Sequence, residues 1–551
     1  MDIQIFDESE YNCFCREPIK IKCLGKSDRF SAGNVLLCLV GITNKLNEEN
    51  DYQEGFIAMD NNLQKTKDEN NVAKNEFAKL TWIERISYGA GDLAQNLIFG
   101  TVGSMLLFYL TTVFGISAAV GATIFLVVRW VNVFWDPWVG AVVDRSKFKS
   151  GKYRPFILYF GIPLTVCAAL LFFPIDAVRG SVVYAFISYL ATALIYSFVN
   201  IPYGALNASL TRDNNEVSTL TTVRMTEANI GNLMVYTFLP LFVQLASPDK
   251  QIKDIGLFGI KLNLGNYASP HAGGAYFMVM SIYMVIGFAL LLFTYFGVKE
   301  RVLPTKEETD SVKYTDLFAE IKRNKPLQIL GMFFLIGFTF MFFGNTVWPF
   351  YMQYNVGHPE WMASINLIGS IPGIFLVFLW PIVRKRIGKK QFFYIFLTLF
   401  VVGQVILWIW QTSAFKESPL LGYIGRFLQQ WGITSATGYM WSLVPEVVSY
   451  GEYKSQKRVA GIINAIMGLF FKIGLALGGI IPGYINAFFK FDGTKATQSN
   501  TALMGIQWSM IWIPIVLAVV AMWIMSRYPL SDADVDRINL EIDERKSEGK
   551  L

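Results

Sequence analysis

The chain has 551 residues, 53% of them apolar or aromatic and 16% charged, against roughly 25% charged in a soluble domain. Mean hydropathy is +0.38, and 45 Phe, 25 Tyr and 14 Trp bring the aromatic share to 15%. These totals exclude a disordered chain, a collagen-like chain and a disulfide scaffold, and a scattered net charge of +6 leaves no footprint for nucleic acid.

The first 58 residues stand apart. Cys13, Cys15, Cys23 and Cys38 all precede Met59, and only Cys167 follows it. The run VLLCLVGI is short and has no small-residue cleavage site after it, so it is no signal peptide. Cys13-Phe-Cys15 with Cys23, and no His nearby, is a poor zinc pattern. Residues 1–58 read as an extension ahead of a true start at Met59, and 59–85 as a polar cytosolic N-terminus.

Apolar stretches long enough to cross a bilayer, about 20 residues each, recur from Ile86 onward. They fall at 86–114, 117–142, 154–175, 181–206, 219–246 and 273–297, then at 327–355, 360–383, 390–411, 418–445, 459–489 and 504–526. The loop after the second stretch carries Arg145, Lys147, Lys149, Lys152 and Arg154. The loop after the eighth carries Arg384, Lys385, Arg386, Lys389 and Lys390. The loops after the first, third, seventh and ninth stretches hold almost no charge. The positive-inside rule then places the even loops and both termini in the cytoplasm.

The two basic loops hold the same place in each run of six, and both read Gly-Lys, a polar residue, then an aromatic (GKYRPF, GKKQFF). Loops that are basic only for topology would not need to match. The expected architecture is an all-α membrane protein with twelve transmembrane helices in two six-helix bundles, the layout of a major facilitator fold. The bundles cover 86–297 and 327–526, joined by a cytosolic connector at 298–326 and followed by a cytosolic tail at 527–551. In the connector, Leu317, Phe318 and Ile321 form one helix face. In the tail, Ser531 to Asp534 is a capping box ahead of Val535, Ile538 and Ile542.

Ionisable residues inside such spans are costly and therefore functional candidates. The first span has Asp92. The second has Arg129, Asn132 and Asp136 at i, i+3 and i+7, one stripe of a helix. The fourth ends with Asn200 before Pro202 and Tyr203, the fifth opens with Arg224 and Glu227, and the eleventh has Lys472. Each has a plainer reading: Asp92 as a helix cap, Arg129 or Asp136 in a packing ion pair, Arg224 and Glu227 at the membrane edge, and Lys472 snorkelling. Carboxylates and cationic heads can bind sugar hydroxyls while aromatics cover the ring faces. Trp130, Trp135, Trp138, Tyr203, Trp348 and Trp441 supply aromatics nearby.

These stretches together resemble the glycoside–pentoside–hexuronide:cation symporters of the major facilitator superfamily. The carriers of the likeness are YGAGDLAQN, VVRWVNVFWDPWVGAVVDRSKFKSGKYRPF, YSFVNIPYGALNASLT, MWSLVPEVVSYGEYKSQKR and the Lys472 helix with GLALGG. It begins near Leu80 and leaves the first 58 residues without a counterpart. The resemblance implies a sugar site between the bundles, with Asp92, Arg224 and Lys472 on the sugar and Asn200, Tyr203 and Trp441 beside it. It implies a coupling-cation site at Asp136 with Asn132 and Arg129. Asn132 and Asn200 stand where the melibiose branch has Asp, and VNIPYG looks like the glucuronide and xyloside permease branch. Two missing carboxylates suit H⁺ better than Na⁺ at Asp136 and Asn132.

The expected activity is import of a sugar or glycoside (pentoside, hexoside or glucuronide) by symport with a cation through alternating access. The protein is expected to be a monomer with no cofactor beyond the coupling cation, no firm metal site, no catalytic residues and no enzyme activity. A lysolipid carrier of the same fold, a polytopic membrane enzyme and a sensor are the alternatives. The only two His, His271 and His358, fall in predicted outer loops, which speaks against an enzyme.

Overall fold

A computed structural model describes residues 79–551 apart from 147, 149, 175–177, 212–213, 258, 303–319, 377–378, 413, 456–459 and 548–551. The readings made for residues 1–58, for the four early cysteines and for Leu317 and Phe318 lie outside the described residues.

Helices occupy each of the twelve predicted positions. They are α1 (Trp82–Thr101), α2 (Ala118–Arg145), α3 (Arg154–Leu170), α4 (Val182–Leu210), α5 (Asn214–Leu233), α6 (Gly273–Gly297), α7 (Lys325–Phe350), α8 (Met362–Phe375), α9 (Lys389–Thr412), α10 (Leu420–Met440), α11 (Ala460–Phe488) and α12 (Ile513–Ser526). Eight stretches among the described residues are long and apolar enough to cross a membrane. α1, α3, α8 and α10 fill the other positions. Thr81 caps α1: its hydroxyl accepts from the Glu84 N–H, and the Glu84 carboxylate accepts from the Thr81 N–H at 2.9 Å. Asp92 is therefore no cap but lies well inside the helix.

The packing repeats between the halves. α1 lies on α5 and α6 as α7 lies on α11 and α12. α3 joins α4 and α6 as α9 joins α10 and α12, and α2 lies on α4 as α8 lies on α10. Across the halves, α2 meets α11 and α5 meets α8. This is a parallel internal repeat at the level of helix contacts, where the sequence shows it only in two loops.

The basic loop after α2 earns its Gly-Lys-Tyr-Arg-Pro string. Gly151 sits at φ +124°, where an L-residue is strained. The turn aims three successive N–H groups, from Lys152, Tyr153 and Arg154, at the Glu300 carboxylate beyond α6, at 2.7, 2.9 and 2.8 Å. A Cβ on Gly151 would stand 2.6 Å from Glu300 Oε1. Gly151→Ala should therefore cost about 1–3 kcal/mol and lower the thermal unfolding midpoint in detergent; an unchanged midpoint would contradict this anchor. In the second half the matching Lys389 reaches Glu446 at 2.7 Å and Asp532 at 3.1 Å. Asp532 opens the tail helix Asp532–Ser547. The capping box at Ser531 forms, with the Ser531 hydroxyl accepting from the Asp534 N–H and donating to its carboxylate. Ile538 and Ile542 are buried at 4% each.

At the opposite end, the long loop after α5 contains an unforeseen antiparallel hairpin, β1 (Gln251–Asp254) with β2 (Lys261–Leu264). It clasps the second half. Trp361 Nε1 donates to the Asp254 carbonyl at 3.1 Å, Ser364 Oγ to that of Ile255 at 2.6 Å, and Lys253 pairs with Glu360 at 3.4 Å. Burial raises the affinity of Glu360 for a proton. The hydrogen bond from His358, the backbone and the Lys253 ammonium outweigh it and hold the carboxyl below its ordinary 4.5. A lowered value means stability present above pH 4.5 and lost as pH falls through the lower value. Wild type and Glu360→Gln should thus differ in thermal midpoint at pH 7 and converge in acid; parallel curves would refute the sign.

Candidate functional site

Two ion pairs define the cleft between the halves. The first lies within the first half. α1 carries Asp92 in a run of small residues, Gly89-Ala90-Gly91, that lets its neighbours approach closely. A Cβ on Gly91 would run into the Tyr203 ring. Arg224 of α5 donates from Nε to Asp92 Oδ2 at 3.0 Å, with the two side chains 30% and 17% exposed. Arg224 thus pairs with the middle of α1. Tyr88 and Tyr203 stack at 4.9 Å, and the Tyr203 hydroxyl donates to the Tyr88 carbonyl at 2.7 Å.

The second pair joins the halves. Asp136 on α2 accepts from Lys472 Nζ of α11 at 3.1 Å and from Ser197 Oγ of α4 at 2.6 Å. Lys472 is 60% exposed. It lines an open cleft rather than a buried pocket, and it does not snorkel toward a helix end because its head is held by Asp136. Arg129 lies over the Phe99 ring at 5.5 Å and borders a cleft with Phe342, Thr346 and Leu475. Asn132 Oδ1 is buried with no hydrogen-bond partner among the described residues. Tyr196 of α4 stacks on Phe99 at 5.7 Å, within electrostatic reach of Asp92, Arg129, Asp136 and Arg224.

Asn200 is exposed on α4. Trp441 follows α10, is 42% exposed and meets Phe334 edge-on at 4.8 Å. The α2 stripe thus brings Arg129, Asn132 and Asp136 to one region, while Tyr203 is tied into α1–α4 packing and its hydroxyl is taken. Sequence reasoning missed Ser197 and Tyr196, and it left Glu227 at the edge. A polar residue one turn before Asn200 in an apolar helix was the available signal for Ser197.

The hydrogen bonds between the halves gather at the hairpin end. Thr346 Oγ1 donates to the Gly103 carbonyl at 3.2 Å, Asn366 Nδ2 to that of Tyr236 at 2.6 Å and Gln244 Nε2 to that of Pro359 at 3.1 Å. Arg224, Trp441 and Lys472 stay partly exposed, at 30%, 42% and 60%. Apart from Lys472–Asp136, these bonds bridge the halves at the hairpin end, so the end with the basic loops is the less bridged of the two. Among the described residues no group of three or more His, Cys, Asp or Glu could hold a metal ion.

A family model described as MFS/sugar transport protein matches residues 87–532. The symporter YnaJ of Bacillus subtilis strain 168 is 36% identical over 85% of this chain and 96% of its own length. The isoprimeverose transporter of Lactiplantibacillus pentosus is 32% identical over 79% and 86%. The glucuronide carrier protein homolog of Escherichia coli K12 is 28% identical over 85% and 97%. Among solved structures, the nucleoside transporter NupG aligns with a TM-score of 0.54 at 16% identity, covering 81% of this chain and all of that one. A bacterial homolog of the lysosomal transporter Spinster, inward-facing and unoccupied, aligns with a TM-score of 0.55 at 12% identity over 82% and 98%; both likenesses speak for the fold alone. With the helix repeat, the paired charges of the cleft and these matches, the chain belongs to the MFS/sugar transport family and is a multi-pass sugar symporter of the glycoside–pentoside–hexuronide group, not an enzyme.

Proposed function

We propose that the chain imports a glycoside with H⁺ across the bacterial inner membrane, as a monomer with both termini in the cytoplasm. Asp92 and Arg224 bind sugar hydroxyls as acceptor and donor, with Trp441 and Asn200 beside them, and Asp136 exchanges the coupling cation. The observation that carries this reading is the Lys472–Asp136 pair, which ties one half to the other beside the Asp92–Arg224 pair. A cation arriving at Asp136 competes with the Lys472 ammonium, so its binding changes what holds the halves together, as coupling requires. With amides at 132 and 200, one carboxylate would carry the whole charge of a cation, which suits a proton and leaves Na⁺ as the alternative. The basic loops at the less bridged end support an inward-open state. The names of the relatives, isoprimeverose transporter and glucuronide carrier homolog, support a glycoside and leave its charge open.

Counterflow in proteoliposomes against a panel of pentosides, α- and β-glycosides and glucuronides tests the reading. At least one should exchange, and an imposed acid-outside gradient should drive its accumulation without Na⁺. No exchange with any of them would overturn the sugar site; a strict need for Na⁺ would overturn the proton.

A further inference from the structure

Three carboxyl groups stand on the first-half walls of the cleft, and two of them are answered. Asp92 has Arg224 and Asp136 has Lys472. The third, Glu227, sits one turn after Arg224 on α5. Its carboxyl lies against the backbone of α1: a Cβ on Gly89 would stand 2.8 Å from Glu227 Cδ and Oε1. Gly89 precedes Asp92 by three residues, so the two carboxyl groups face the same side of α1.

The groups around Glu227 can be named from each element that packs on it. α1 brings Tyr88 and Asp92, α4 brings Tyr203, and α5 itself brings Arg224. Arg224 donates to Asp92, and the Tyr203 hydroxyl donates to the Tyr88 carbonyl. Arg85, one turn below Gly89, is held by Glu216 at 2.7 Å. α8, which also meets α5, has no titratable residue. Among the described residues no cation or donor is bonded to Glu227. Glu227 is half-buried, and a carboxylate ionised there beside another, with no cation answering it, is disfavoured; a proton removes that cost.

We propose that Glu227 is the protonatable carboxyl of the sugar site: the glycoside binds at Asp92 and Arg224 while Glu227 is neutral, and release of its proton weakens that binding. The proposal rests on the sugar-symport reading above. When the Glu227 O–H bond breaks, the proton passes to water in the open cleft. The new carboxylate then competes with Asp92 for the Arg224 guanidinium, three residues away on its own helix. The pair that presents a donor and an acceptor to the sugar is drawn apart, and a second negative charge stands beside Asp92. Sugar affinity is thereby linked to one proton.

The test is equilibrium binding to the purified full chain, with no gradient, from pH 5.5 to 9, using isoprimeverose and methyl β-D-glucuronide as probes. Wild type should lose affinity as pH rises, by up to about tenfold per pH unit above the midpoint, the limit for one linked proton. Glu227→Gln, neutral at every pH, should bind with a flat profile near the acid-side affinity of wild type, and Glu227→Asp should restore a pH-dependent profile. An unchanged profile in Glu227→Gln, or a wild-type affinity that is flat or rises with pH, overturns the assignment while leaving sugar binding intact. A wild type that binds neither probe nor any other glycoside of the counterflow panel at any pH overturns the sugar reading, and Glu227's role falls with it.

Discussion

Lys472→Ala should reduce sugar uptake at least about tenfold while leaving the protein in the membrane and nearly as stable as before. The two effects separate because the pair is open to the cleft. A pair whose lysine is 60% exposed is screened and contributes about 0–1 kcal/mol to stability; the loss of one should not unfold the chain. What is lost is the connection. Among the described residues, two ion pairs join the halves: Lys253–Glu360 at the hairpin end and Lys472–Asp136 in the cleft. Only the second involves a carboxylate on the stripe of Arg129 and Asn132. Without the ammonium, Asp136 keeps the Ser197 hydroxyl but loses the charge whose displacement a cation would exploit. Lys472→Arg restores the charge with a different reach and should recover part of the rate. The measurements are initial uptake in cells, normalised to membrane abundance, and thermal unfolding in detergent. Uptake at the wild-type rate in Lys472→Ala would mean that the pair is packing and no more.

Much of this was legible in the chain because membrane helices announce themselves by composition. The predicted sixth stretch, 273–297, coincides with α6, and the ninth, 390–411, is within a residue at each end of α9. The hairpin Gln251–Asp254 with Lys261–Leu264 was not legible. Its strands are four residues each and mostly exposed, too short for alternation to mark them, and their place is set by partners in α8 and α10 that are distant in sequence. The site was half legible. Asp92, Asp136, Arg224 and Lys472 stood out as charges inside apolar helices, but which cation answers which acid is a tertiary fact. Lys472 reads as too deep to snorkel, and its head is exposed yet bonded to Asp136. Glu227 reads as a candidate beside Arg224, with the membrane edge as its plainer place; only the approach of Gly89 brings its carboxyl beside Asp92.

Asp136→Asn should abolish uphill accumulation and spare downhill exchange. An importer that concentrates sugar must make cation binding and sugar binding depend on each other, and the group responsible has to change charge where the halves move against one another. Asp136 meets both conditions. It is a carboxylate on α2, and its partner Lys472 is on α11 of the other half. The asparagine keeps the shape, and its carbonyl oxygen can still accept from Ser197, so the fold and the Asp92–Arg224 pair should survive. It cannot bind a proton in exchange for the ammonium, so the step that ties cation to conformation is gone. Exchange of internal for external sugar needs no net proton movement and should persist at a substantial fraction of the wild-type rate. The experiment is sugar accumulation in proteoliposomes under an imposed pH gradient, with and without Na⁺, beside counterflow without any gradient. Wild type should accumulate with the gradient, and Asp136→Asn should only equilibrate. Accumulation at the wild-type level in Asp136→Asn would move coupling to the sugar-site carboxyls, where Glu227→Gln in the same assay would identify the carrier. Loss of both accumulation and counterflow, with the protein still folded, would place Asp136 in the sugar site itself and refute its assignment as a coupling group.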